Sequence, residues 1–228
     1  MNFLCHAMPY LDQSWVAVGT AVPDWLSAVD RKIRARGRLA SLHVESDDPV
    51  LAAIARGIVR HHDDDRWFHG TEAFVTTNLE FAVALRDLLQ RDAGHREDGF
   101  RPSFVGHILI EMLLDAIWLR DRPEIGETYY RMLGEKSATE VQRCVNVITG
   151  KPTDALAGLI ERFVQARFLF DYLDDESLLF RLNQVMRRVG LAKLPPAVLD
   201  WLPDARRQVW QRRDRMLTPP GSPSPFPI

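Results

Sequence analysis

The stretch Phe104-Val-Gly-His-Ile-Leu-Ile-Glu-Met-Leu-Leu-Asp-Ala-Ile-Trp-Leu119 carries only three polar side chains, His107, Glu111 and Asp115; everything else in it is apolar or glycine. Pro102 can open a helix here and Pro123 stops it. A helix that is apolar all round is a buried one, so other helices must surround it. The flanking sequence agrees. Asp48-Pro49 pairs an N-cap with proline at the first helical position, and Leu51, Ile54 and Ile58 follow at helical spacing. Thr71 to Gln90 continues the period. Ser137-Ala-Thr-Glu140 fits a capping box that Gly150-Lys-Pro152 terminates. Further helices are predicted over 153–173, 175–189 (ended by Gly190) and 204–217. Only Ser41 to Ser46 alternates like a strand, and one short strand builds no sheet. The expectation is all-α, a single domain over 1–217 with about seven to nine helices. Residues 218–228 hold five of the fourteen prolines and read as a Pro-rich flexible tail.

Composition narrows the function classes. The chain has 228 residues, 46% apolar and 26% charged, with 29 basic against 31 acidic side chains and a net charge of −2. That balance gives no global field to hold a nucleic acid or an anionic membrane. Cys5 and Cys144 are too few for a disulfide framework. Met-Asn-Phe-Leu-Cys-His lacks the basic start of a signal peptide, and no uncharged apolar run approaches the roughly 18 residues of a membrane span. A cytoplasmic location is expected. Walker, dinucleotide-binding, nucleophile-elbow and Cys-x-x-Cys motifs are all missing.

Chemistry concentrates in two stripes. His107, Glu111 and Asp115 stand at i, i+4 and i+8 on the apolar helix, so they share one face. Burying them without partners costs several kcal/mol, about the penalty for unpaired buried charge. Their partners are either hydrogen bonds and a salt bridge from another helix, or a divalent cation, for which imidazole and carboxylate are suitable ligands. Arg56-Gly-Ile-Val-Arg-His-His-Asp-Asp-Asp-Arg-Trp-Phe-His69 repeats the spacing with His61, Asp65 and His69; its three aspartates read otherwise as a solvated face. His6 and Asp24 are candidates by residue type. Arg31, Lys32, Arg34, Arg36 and Arg38 crowd eight positions after Asp24, either as a solvated face or as a docking patch for phosphate or an acidic partner, without the interleaved aromatics of a single-strand nucleic-acid groove.

Taken in order, Met1-Asn-Phe-Leu-Cys-His6, Pro23-Asp24-Trp25 followed by basic residues, Gly57-Ile-x-x-His61-x-x-x-Asp65-x-Trp67, and Gly106 with Glu111-Met-Leu-Leu-Asp115 resemble the acyl-carrier-protein phosphodiesterase family, a divergent all-helical relative of the histidine–aspartate phosphohydrolases. Phe168-Leu-Phe-Asp-Tyr172 and Leu182 to Arg188 extend the likeness to about residue 190. The sequence departs from the family's pattern at His62 (usually arginine), Asp64 (usually aliphatic), His69-Gly-Thr71, Glu111 (for aspartate) and the additional His107. The resemblance implies hydrolysis of the phosphodiester joining phosphopantetheine to acyl carrier protein, with a divalent metal such as Mn, or Mg, Fe or Zn. The ligands are then drawn from His6, Asp24, His61, Asp65, His107, Glu111 and Asp115, with Asp24, Asp65 or Glu111 as a catalytic carboxylate. The competing expectation is a non-enzymatic helical module that binds a metal, a small ligand or a protein partner.

Overall fold

The structure, a computed structural model, describes residues 1–30, 32–91 and 100–226. Among them are eleven α-helices, nine of eleven residues or more, joined by short 3-10 turns, and no strand. The chain is all-α. Contacts group it into two compact units, the first made of Met1–Arg66 with Arg122–Phe168, the second of Trp67–Asp121 with Leu169–Ile228.

The first unit holds α1 (Phe3–Ala7), α2 (Ser14–Val29), α3 (Gly37–Ala40), most of α4 (Pro49–Phe68), α7 (Pro123–Gly134), α8 (Ala138–Thr149) and α9 (Leu156–Ala166). Asp48 caps α4, its Oδ1 accepting from the backbone N–H of Val50 at 3.0 Å and of Leu51 at 3.1 Å. Ser137 caps α8 through the Glu140 N–H, and Gly150 closes that helix at φ 62°, a conformation that costs glycine little. Phe163 on α9 is the centre of an aromatic cluster, with ring centroids 4.8 Å from Phe3, 5.4 Å from Trp25 and 5.0 Å from Phe168. The strand expected at 41–46 does not form. Gly37–Ala40 is helical and runs on into a 3-10 turn over Ser41–His43, with the Ser41 hydroxyl donating to the Gly37 carbonyl. The sequence reading assigned no helix to 14–29, where Pro23 sits inside α2, nor to 123–134.

In this unit α2 crosses α4 with backbone against backbone. A Cβ built on Gly57 would lie 2.7 Å from the Gly19 Cα, and one on Gly19 would lie 3.0 Å from the Gly57 Cα. Real Cβ atoms do not come so close, so both positions need glycine.

The second unit holds α5 (Glu72–Arg91), α6 (Pro102–Asp121), α10 (Asp175–Val189) and α11 (Leu202–Met216). The apolar helix of the sequence analysis is α6. It is long and apolar enough to cross a membrane, but 72% of that window is buried within the protein, packed by α5, α10 and α11. Gly106 admits α5, since a Cβ there would stand 2.7 Å from Asn78 Oδ1 and 3.1 Å from Phe81 Cβ. The segment predicted over 153–173 divides into α9 and a 3-10 helix, Phe168–Leu173, the break falling at Arg167, whose φ is 47°. Beyond α11, Ser224 Oγ donates to the Leu217 carbonyl and Phe226 is 5% exposed, its ring stacked 6.1 Å from that of Trp118.

Substituting Gly57→Ala should lower stability by about 1–3 kcal/mol, the usual cost of overpacking a close contact, read as a lower urea midpoint with unchanged slope. An unaltered midpoint would mean that the α2–α4 contact opens freely.

Candidate metal centres

Two groups of histidine and carboxylate donors form, one in each unit. In the first, His6 from α1 meets His61 and Asp65 from α4, their donor atoms within 4.8 Å of one another. His6 is wholly buried and His61 is 4% exposed. The two imidazoles stack with centroids 4.1 Å apart at 27°. His61 Nδ1 stands 2.8 Å from the Thr20 carbonyl of α2. A carbonyl oxygen only accepts, so Nδ1 carries the proton and Nε2 presents a lone pair. That lone pair faces Asp65 Oδ2 at 3.4 Å. Burial, reinforced by His6, pushes the His61 pKa well below the usual histidine value, so the ring is neutral and two acceptors face each other.

Cationic groups collect on the other side of Asp65. The Met1 amino group lies 2.6 Å from Oδ1, and His6 Nε2 lies 3.2 Å from the same oxygen. Burial alone would raise the Asp65 pKa, yet the Met1 ammonium and His6 hold it far below the ordinary carboxylate range. Burial and the ammonium depress His6, but the carboxylates of Asp64 and Asp65 outweigh them and its pKa is raised. Neither ring nitrogen of His6 makes an aligned hydrogen bond. A wholly buried imidazole without an aligned hydrogen bond needs a partner, and a metal ion is one that the His6, His61 and Asp65 donors could hold.

In the second unit, His107 and Glu111 lie one turn apart on α6, and His69 joins them from the turn after α4. Both histidines aim Nε2 at the same oxygen, Glu111 Oε1, at 2.9 Å from His69 and 3.0 Å from His107. Burial would raise the Glu111 pKa, but neighbouring positive charge, and then the hydrogen bonds from His107 and His69, hold it well below the usual range. Phe74 packs on both rings at 5.0 and 5.1 Å. The stripe expected on one helix is therefore broken. α4 ends at Phe68, the Gly70 N–H bonds the Trp67 carbonyl, and His69 leaves His61 and Asp65 behind.

The remaining candidates have distinct places. Asp24 is half-buried on α2, one turn beyond Thr20 and so on the same helical face. Asp115 is fully buried on α6, one turn beyond Glu111, and belongs to neither donor group. Of the three consecutive aspartates, Asp63 is solvated and pairs with Arg66 at 2.8 Å. Lys32, Arg34, Arg36 and Arg38 are exposed, alternating with buried Ile33 and Ala35; Arg31 lies outside the described residues. His62 Nε2 donates to the Ala35 carbonyl at 2.7 Å, which ties this basic segment to α4 beside His61. The sequence missed His69 as a partner of Glu111, and Thr20, which acts through its backbone.

A third group, Asp48, Glu140 and Cys144, is occupied from within. The Arg143 guanidinium bonds Asp48 at 2.5 Å and Glu140 at 2.6 Å, and burial pushes the Cys144 thiol up to about 11, leaving it protonated and a poor ligand. A cleft of about 400 Å³ in the second unit is walled by Gly70, Thr71, Thr76, Arg212 and Arg215 among others.

Because its pKa is lowered, the His61 ring should remain the neutral Nδ1–H tautomer from pH 8 down to about 5.5 in metal-free protein, where an ordinary histidine becomes cationic below about 6.5. Long-range ¹⁵N–¹H correlation spectra read this directly; a His61 signal that turns cationic over that interval would refute the geometry. No protein-family model, curated protein or solved structure matches this chain.

Proposed function

We propose that this chain is a metal-dependent phosphoester hydrolase whose cation is held by His6, His61 and Asp65. One observation carries the reading: the Thr20 carbonyl fixes the His61 tautomer so that a neutral Nε2 lone pair meets an ionised carboxylate oxygen 3.4 Å away. Metal-binding histidines characteristically donate their other N–H to a backbone carbonyl or carboxylate, which orients the ring and raises its basicity. His6 completes the donor set with a wholly buried imidazole. A divalent cation bound there supplies Lewis acidity toward phosphoryl oxygens.

The protein's own groups do the rest. The ring stack holds His6 and His61 in one relative orientation, and burial keeps bulk water from competing with the phosphoryl oxygens. Asp24, on the Thr20 face of α2, is the carboxylate assigned to take a proton from an attacking water. The substrate class rests on the resemblance to acyl-carrier-protein phosphodiesterases. It is supported by the exposed side chains of Lys32, Arg34, Arg36 and Arg38, which suit an acidic carrier protein carrying an anionic phosphopantetheine arm. Metal identity follows from the donors only as far as a dication that accepts imidazole and carboxylate, Mn, Fe or Zn before Mg.

Purified protein should contain a divalent metal and hydrolyse bis-p-nitrophenyl phosphate with added Mn²⁺. Replacing His61→Ala should weaken metal binding beyond the roughly 10–100-fold loss typical of outer partners and abolish turnover, with thermal melts confirming the fold. Metal bound without turnover would overturn the hydrolase and leave a cation-binding module; no metal and no turnover would overturn both.

The partner is tested separately. In Arg34→Glu/Arg36→Glu protein, the rate on acyl carrier protein relative to a small phosphodiester should fall about tenfold at low salt. The difference should shrink as ionic strength shortens the Debye length below about 8 Å. An unchanged ratio would remove acyl carrier protein as the partner of this patch.

A further inference from the structure

We propose that His69, His107 and Glu111 form a second divalent-cation site, open to solvent, that takes a first-row transition-metal dication such as Zn²⁺. Both imidazoles converge on a single carboxylate oxygen, at 2.9 and 3.0 Å. Ligands at right angles around a cation with bonds of about 2.1 Å are themselves about 3.0 Å apart, and tetrahedral ones about 3.4 Å. The donors therefore already have coordination spacing, with all ligand atoms within 4.8 Å of one another. Hydrogen bonding alone makes no such demand, since two imidazoles serving one carboxylate do as well on separate oxygens.

The site is built on rigid elements. His107 and Glu111 are one turn apart on the buried helix α6, and Gly106, beside His107, sits where α5 comes too close for a side chain. The His69 ring is held by Phe68 at 5.1 Å and Phe74 at 5.0 Å. It stands 4.4 Å from the His107 ring at 41°, with both Nε2 atoms turned toward the same Glu111 oxygen.

Exposure sets the site's character. His69 is 30% and His107 31% exposed at the side chain, against 12% for Glu111, so the carboxylate forms the floor and the imidazoles the rim. Two histidines and one carboxylate leave coordination positions open toward water or a small anion. Two nitrogen ligands favour Zn²⁺ and its neighbours over Mg²⁺ or Ca²⁺, which prefer all-oxygen sites. His107 is additional to the phosphodiesterase-like pattern and His69 lies in a stretch that departs from it, so the pairing of both with Glu111 rests on the geometry.

Calorimetric titration of Zn²⁺ into metal-free full-length protein should show two binding events. His69→Ala and His107→Ala should each weaken one of them at least tenfold, as should Glu111→Gln, while His61→Ala removes only the other. Three variants that all keep both events at wild-type affinity would overturn the second site. Loss of one event in His107→Ala but none in His61→Ala would support it while sinking the proposed hydrolase centre. Wild-type protein gives a check that needs no variant. Saturating Zn²⁺ should abolish the Nε2–H character of His69 and His107 in ¹⁵N spectra, and persistence of both protons would mean that the imidazoles only donate hydrogen bonds to Glu111.

Discussion

The contact between Gly19 and Gly57 is the constraint on which the first unit's chemistry depends. Two helices normally keep their axes 8–10 Å apart because side chains intervene; here the backbones touch. His61 lies one turn beyond Gly57 and Thr20 is next to Gly19, so the close crossing carries the Thr20 carbonyl to the His61 ring. A methyl group at either glycine would push the helices apart and lengthen a 2.8 Å bond past the range where a hydrogen bond holds a tautomer. The second unit uses the same device. Gly106 lets α5 settle on α6, and His107 is its immediate neighbour. In both units an imidazole of a candidate donor group owes its position to a glycine close by in the same helix.

Burial gives these positions their consequence. Taking an imidazole fully out of water is tolerated only if its nitrogens find partners, and an unpaired buried polar group costs roughly 1–3 kcal/mol. His6 is at that limit, with Asp65 as its near neighbour and no aligned hydrogen bond. Perturbed ionisable groups of this kind collect where a protein prepares chemistry rather than stability, since apolar replacements of equal size would pack at least as well. His61 pushed down and Asp65 held low, side by side, is the pattern expected of a ligand pair kept in its metal-accepting forms.

How much of this was legible depended on whether the signal was local. α6 could be read because its apolar side chains cover every face, and α4, α8 and α10 because Asp48, Ser137, Gly150 and Gly190 are local start and stop signals. α2 escaped because Pro23 argues against a helix interior, and the cost is met by packing that no local pattern shows. The alternation over 41–46 imitated a strand but had no partner strand, and helical continuation from α3 prevailed. At the site, His61 with Asp65 and His107 with Glu111 were visible as i, i+4 pairs, because one helix fixes each. Assigning His69 to the first pair failed, since spacing is a guide only while the helix lasts and α4 ends one residue before it. Thr20 had no signal, because its contribution is a carbonyl that every residue possesses.

The two donor groups share a composition, two histidines and one carboxylate, and differ in their surroundings. The first is buried at its imidazoles, with His6 and His61 almost without exposed surface and Asp65 29% exposed at its side chain, so electrostatic interactions on the imidazole side act through a low effective dielectric and are several-fold stronger than in water. Such a setting favours tight retention of an ion and strong polarisation of whatever touches it, at the price of slow access. In the second, about a third of each imidazole is in contact with solvent. Water would screen an ion bound there, with faster exchange and correspondingly lower affinity. A difference in burial alone therefore suits one group to holding a resident ion and the other to responding to the ion's concentration outside.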